Sequence, residues 1–292
     1  MLFDELIPVY IEYAKNNKTS WKRDMTVLKY IEPFFKNRRL REITPDTAEQ
    51  YRSKRMKYRK SNGETLSPAT INREIEVLRK MFTIAVNNGW VDENPCLARK
   101  LRPLTVNNIK ERYLELNEEA RLLAACTGQY EHMRPIIICA LHTGMRKGEI
   151  LNLRWDCVDF AKRHITLLKT KNGKKRNVPI SSTLLNEFKT LKENAQTEYV
   201  FGNSDTGKPY ADLKRPFPQL CKIANIENFT FHQLRHTATT RMFALGLDSV
   251  TIMDIVGHAD LKTTMRYAHP ITERKLQAVE ALDNYSKLAV LN

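Results

Sequence analysis

A chain of 292 residues, 42 % hydrophobic and 28 % charged, is long enough for two ordinary domains and too apolar to be mostly disordered. No apolar run approaches the ~18–20 residues of a membrane span, and the opening Met1–Glu5 lacks the basic-then-apolar pattern of a signal peptide. With 48 Lys and Arg against 33 Asp and Glu the formal charge is +15, which points to a polyanion, nucleic acid ahead of a membrane surface because no basic amphipathic helix or lipidation motif accompanies it.

The first hundred residues read as a bundle of four helices. Phe3, Leu6, Ile7, Tyr10, Ile11 and Ala14 recur at helical spacing, and Thr19-Ser20 offers caps for a second helix carrying Trp21, Met25, Leu28 and Ile31. Thr44-Pro45-Asp46 and Ser67-Pro68 each place a capping hydroxyl before a proline at the first turn. The last helix carries Ile71, Ile75, Leu78, Phe82 and Ala85 and is stopped at Gly89. Residues 1–104 hold 21 Lys and Arg against 13 Asp and Glu, with a basic run at Lys54, Arg55, Lys57, Arg59 and Lys60 that alone reads as a solvated helix face.

A polar, basic stretch without periodicity at residues 103–112 predicts a linker between a domain over 1–102 and a second over 113–292. In the second domain Asn117 is the expected cap of one helix, and Pro135 to Leu141 lies in an apolar one. Two β-prone runs, Ile165–Leu168 and Asn177–Ile180, flank Asn172-Gly173 and predict an antiparallel hairpin; helix resumes at Ser181. The fold class is therefore mainly α with a small antiparallel β-sheet: a helical bundle followed by a mixed α/β domain. The five cysteines are odd in number with no CxxC pair, which argues against a disulfide framework or zinc ribbon and for reduced, mostly buried thiols of a cytoplasmic protein.

Four local patterns carry chemistry. Arg146 follows a turn-permitting glycine in TGMRKGEIL, where its planar fork can meet a phosphate. The hairpin turn Lys169–Arg176 holds five cations, and a lysine there can act as a general acid. In His232-Gln233-Leu234-Arg235-His236, His232 and Arg235 share a helix face. Gln233 stands where a zinc-protease motif needs Glu, so no metal is expected, and His236 reads as structural. Gly257-His258 is followed nine residues later by Tyr267. Two arginines, two histidines, a lysine and a tyrosine together describe a phosphoryl-transfer site with a tyrosine nucleophile and no P-loop or metal pair.

Those boxes, in that order and with the lysine hairpin between the first two, resemble the tyrosine recombinase (phage integrase) family over nearly the whole chain. The resemblance implies a helical core-binding domain followed by a catalytic domain. It implies Arg146 and Arg235 as a phosphate clamp, and His232 as an aid to proton transfer from the nucleophile. His258 would bond the scissile phosphate, Glu149 would support the site, and Tyr267 would form a 3′-phosphotyrosine. Lys171, eight residues before Pro179, resembles the lysine that protonates the leaving 5′-hydroxyl, with Lys169 as runner-up.

The implied activity is site-specific cutting and rejoining of double-stranded DNA through a Holliday junction, without metal, ATP or other cofactor. The implied assembly is a homo-tetramer on recombination sites, with room for accessory DNA-bending factors. Its members exchange a tail from about Ile271, where Leu276, Val279, Leu282, Tyr285 and Leu288 form a helical stripe. The chain opens directly on the bundle, as in a short recombinase of the chromosome-dimer-resolution type or a trimmed integrase. The alternatives are type IB topoisomerase-like relaxation and a non-catalytic DNA-binding protein with the same fold.

Overall fold

A computed structural model describes residues 1–106, 112–167, 175–203, 206–268, 279, 280 and 282. The chain divides into two units, Met1–Ile109 and Lys110–Asn292.

The first unit holds α1 (Phe3–Asn17), α2 (Trp21–Phe35), α3 (Pro45–Lys57) and α4 (Pro68–Asn87). Thr44 and Ser67 cap α3 and α4 through their hydroxyl oxygens, which accept from the amides of Thr47 and Thr70, each with proline in the first turn. Ser20 stands at the cap of α2, but its side chain makes no capping bond. The predicted stripe of α4 is wholly buried: Ile71, Ile75, Leu78, Phe82 and Ala85. At about 1.5–3 kcal/mol for each large apolar side chain removed from water, that face holds the bundle together. Gly89, at φ +70°, turns the chain away after α4.

The basic run is not uniform. Arg55 is buried and donates from Nε and Nη2 to the Glu74 carboxylate, both at 2.7 Å, and the Tyr51 hydroxyl donates to the same group at 2.8 Å. The expectation of a solvated face fails for this residue because α3 turns it onto α4.

The described ends of the expected linker are anchored locally. Leu104 exchanges hydrogen bonds with the Asn72 side chain, and Arg112 pairs with Glu118. Positions 107–111 lie outside the described residues.

The second unit runs α5 (Leu116–Ala124), α6 (Met133–Thr143), α7 (Lys147–Leu151), β1 (Val158–Asp159), β2 (His164–Leu167), β3 (Arg176–Pro179), α8 (Ser182–Glu193), α9 (Pro216–Ile223), α10 (Phe231–Ala244), α11 (Ser249–Val256) and α12 (Leu261–Met265). The cap of α5 is Glu115, not Asn117: the Glu115 amide donates to the Glu118 carboxylate, and Asn117 sits within the first turn. α6 is apolar nearly all round and buried, the central helix against which α10, α8 and α7 pack.

The sheet is antiparallel in the order β1-β2-β3, with Val158 opposite Ile165, Ile165 opposite Val178 and Leu167 opposite Arg176. The expected Asn172-Gly173 turn lies outside the described residues, and β1 is an added strand too short to leave a sequence period. Alternation along β3 turns Arg176 and Val178 inward together. A guanidinium is thereby placed in the interior beside α11, which packs on β3. Four of the five cysteines are buried, and all are free thiols. No helix among the described residues is long and apolar enough to cross a membrane.

Candidate active site

Two helix C-termini meet in the second unit, and glycine ends both. Gly144 closes α6 at φ +62°, and a Cβ there would stand 2.9 Å from Val256 Cγ1. Gly257 closes α11 at φ +70°, and a Cβ there would meet the Arg176 guanidinium at 2.4–2.9 Å. Left-handed backbone and close approach each require glycine at these two positions.

The last carbonyls of a helix have no partner within it and carry partial negative charge. Here they receive arginines. Arg235 Nη1 donates to the carbonyls of Gly144 at 2.7 Å and Val256 at 2.6 Å. Arg146 Nη2 donates to the Gly257 carbonyl at 2.6 Å, and Arg176 Nε to the Ile255 carbonyl at 3.3 Å. Three guanidinium groups from α10, the start of α7 and β3 thus hold the end of α11.

Glu149 ties them together. Its carboxylate accepts two bonds from Arg176, at 3.1 and 2.8 Å, and one from the Arg146 side chain at 3.1 Å. It also accepts the Arg146 amide at 2.8 Å, a bond from the first turn of α7 back to the cap residue that fixes the arginine at the helix start. Burial raises this carboxyl's pKa, but the Arg176 hydrogen bonds and then the Arg146 contacts outweigh it, and the net shift is downward. One carboxylate serves three guanidinium groups, so the cluster keeps an excess of two positive charges. Arg235 feels it: burial first and then Arg146 bring its pKa down to about 10. A half-buried site with uncompensated positive charge is built to take an anion.

The segment after Gly257 returns to this cluster. Asp260 caps α12, and the buried Thr264 hydroxyl hydrogen-bonds His258 Nδ1 at 2.7 Å, fixing the ring. Tyr267, just past α12, lies parallel to His258 with centroids 6.0 Å apart, and its hydroxyl hydrogen-bonds His236 Nδ1 on α10. His232 meets His236 edge-on at 4.9 Å. All three rings are neutral at pH 7. Burial and then the nearby arginines lower His232 and bring His258 to about 4; burial, then His232 and Arg235, bring His236 to about 4. Burial raises Tyr267, with Arg235 and Arg266 partly offsetting it.

Six of the predicted site residues therefore gather in one place: Arg146, Glu149, His232, Arg235, His258 and Tyr267. Lys171 and its runner-up Lys169 lie outside the described residues, as does most of the tail from residue 271. Three participants were missed. Arg176 was readable from period two, since it lies two residues before the inward Val178. Thr264 left no signal. His236, expected to be structural, meets the tyrosine hydroxyl, because α10 turns it toward the segment after α12.

Comparison with known proteins agrees with the motifs. The phage integrase family profile matches residues 112–274, and a phage integrase SAM-like domain matches residues 3–101. The shufflon-specific DNA recombinase of Escherichia coli is 33 % identical over 250 residues, covering 84 % of this chain and 62 % of that protein. The chain thus spans about three fifths of that relative's length. Among solved structures, a lambda integrase fragment dimer bound to a COC′ core site superposes with a TM-score of 0.78 at 16 % identity, over 92 % of this chain and 96 % of that one. A lambda integrase tetramer bound to a Holliday junction gives 0.77 at 16 % identity, over 92 % and 78 %. At that identity the likeness speaks for the fold.

Proposed function

Since the chain belongs to the phage integrase family, we propose that it is a site-specific tyrosine recombinase that cuts and rejoins DNA through a 3′-phosphotyrosine. The observation that carries this reading is the cluster at the end of α11, with two excess positive charges and Arg235 close enough to the Tyr267 phenol to act on its ionisation. A phosphodiester is the anion such a site fits. Arg146 and Arg235 take its non-bridging oxygens, with Glu149 and Arg176 holding Arg146 in aim. His258, its Nδ1 engaged by Thr264, offers Nε2 to the phosphate, and His232 assists from α10.

Tyr267 attacks phosphorus, and the 5′-hydroxyl leaves with a proton from Lys171. The cations stabilise charge that grows in the pentacoordinate transition state; each such donor is worth about 10²–10³ in rate. The phosphotyrosine conserves the energy of the broken bond, and a 5′-hydroxyl of a partner strand attacks it to rejoin.

Residues 1–102 act as the core-binding domain and 113–292 as the catalytic domain. Both halves are basic, +8 over residues 1–104 and +7 over 105–292, which supports a clamp on duplex DNA. By analogy with the lambda integrase tetramer on a Holliday junction, four copies assemble on two duplexes. The apolar stripe from Leu276 to Leu288 supports exchange of the tail between neighbours, a head-to-tail contact that closes into a ring.

The test is covalent trapping. Nicked suicide duplexes drawn from the DNA flanking the coding sequence, with a randomised nicked pool beside them, are incubated with the chain and resolved in SDS. A protein–DNA adduct that disappears in Tyr267→Phe is expected. Its absence, or its survival in the phenylalanine variant, overturns the reading.

A further inference from the structure

His236 is a member of the site to which the family motifs give no role, yet it is the group hydrogen-bonded to the Tyr267 oxygen. Its Nδ1 shares a hydrogen bond with the hydroxyl, and the two rings lie 5.1 Å apart. His232 stands one turn earlier on α10, toward the arginines, and feels both Arg235 and Arg146; His236 feels His232 and Arg235. The charged and titratable groups facing His236 are His232 and Arg235 on its own helix, and Tyr267 and His258 from the segment beyond α11.

Burial, then His232 and Arg235, keep the imidazole neutral, and burial keeps the phenol un-ionised. In the tautomer that carries its proton on Nε2, the phenol O–H donates to Nδ1, which is the arrangement a base at this position uses.

We propose that His236 is the catalytic residue that takes the Tyr267 proton during strand cleavage and returns it during rejoining. This rests on the recombinase reading above. In cleavage the tyrosine oxygen bonds phosphorus and the bond from phosphorus to the 5′ oxygen breaks. The phenol proton passes to Nδ1, giving an imidazolium, while the 5′ oxygen takes a proton from Lys171. In rejoining the 5′-hydroxyl attacks, its proton goes back to Lys171, and the departing tyrosine oxygen recovers its proton from His236. Atoms and charge balance without a further reactant. The geometry also couples the base to its substrate: a phosphodiester seated on Arg235 screens one of the cations that lower His236, so the base strengthens as DNA binds.

The experiment times adduct formation by the full chain on the nicked duplex it captures best from the pool. The 5′ bridging oxygen is replaced by sulfur, which leaves without a proton and removes Lys171 from the rate. DNA affinity and melting temperature are measured alongside. His236→Ala, and His236→Asn, whose amide oxygen accepts a hydrogen bond but not a proton, should each slow the step about 100-fold or more at pH 7. DNA affinity should be unchanged. Their rates should climb about tenfold per pH unit where the wild type is flat, because hydroxide must then ionise the phenol. Added imidazole should restore the alanine variant. A near-wild-type rate in both variants, an equal loss at every pH with no response to imidazole, or the same signature in His232→Asn alone would overturn the proposal. If the wild type itself forms no Tyr267 adduct, the recombinase reading fails and takes this inference with it.

Discussion

Each unit of the molecule sets a carboxylate against arginine, and the two do opposite things with it. In the helical unit Glu74 receives two bonds from Arg55 and one from Tyr51, while the rings of Tyr30 and Tyr58 cover the guanidinium at 4.7 and 4.9 Å. One charge meets one charge, and the pair joins α3 to α4. In the other unit Glu149 meets Arg176 and Arg146 with Arg235 close by, and positive charge is left over. The contact type is the same. What separates a structural ion pair from a site is the balance of charge around it.

The two clusters part most sharply at Glu74. Replacing it with alanine strands a buried guanidinium and should cost about 3–5 kcal/mol of stability in the helical unit. The rate of adduct formation at saturating DNA, below the melting point, should stay the same. Denaturant titration beside single-turnover cleavage checks both halves.

Glu149→Gln should reverse the pattern. The isosteric amide keeps the volume but loosens Arg146 and Arg176, with a stability loss of about 1–3 kcal/mol. Cleavage at saturating DNA should fall about 100-fold, because a clamp misplaced by an ångström no longer fits the reacting phosphate. A Glu149 variant that cleaves normally would reduce this cluster to the status of the first.

Acid separates the units more gently. All seven histidines lie beyond residue 131, so the helical unit has none. His236 and His258 titrate near 4 in the folded chain against about 6.5 unfolded, so between those values the unfolded state binds more protons. Stability of the second unit should therefore fall as pH drops from about 6.5 to about 4, by at most about 1.4 kcal/mol per pH unit for each ring. Urea titrations at pH 7 and pH 5, followed unit by unit through hydrogen exchange, should move the midpoint of the second unit and leave that of the first. Equal movement of both would place the acid sensitivity elsewhere.

Much of this was legible in the sequence where the controlling forces are local. Thr44-Pro45 and Ser67-Pro68 mark helix starts because a hydroxyl and a proline act within one turn, and the stripe from Ile71 to Ala85 declares its buried face. Asn117 misled because the Glu118 carboxylate accepts the Glu115 amide and starts the helix at Glu115, two residues earlier, which polar type alone does not distinguish. Arg55 and Lys54 look alike in a basic run, and only the packing of α3 on α4 sends one inward. The site boxes were readable as types and spacing. The hydrogen bond between His236 and Tyr267 spans 31 residues, and which of two histidines a turn apart receives it depends on how α12 comes back to α10.

Gly257 gathers these dependencies into one position. Its carbonyl holds Arg146, its left-handed backbone ends α11, and the place a side chain would occupy is filled by Arg176. Gly63, Gly89 and Gly128 share the same sign of φ but face open space, so asparagine is a tolerable replacement there. In a saturation library selected for recombination, those three positions should recover polar variants while position 257 returns glycine alone. At this codon the gene's freedom to drift would stop, held by a side chain 81 residues upstream in the chain.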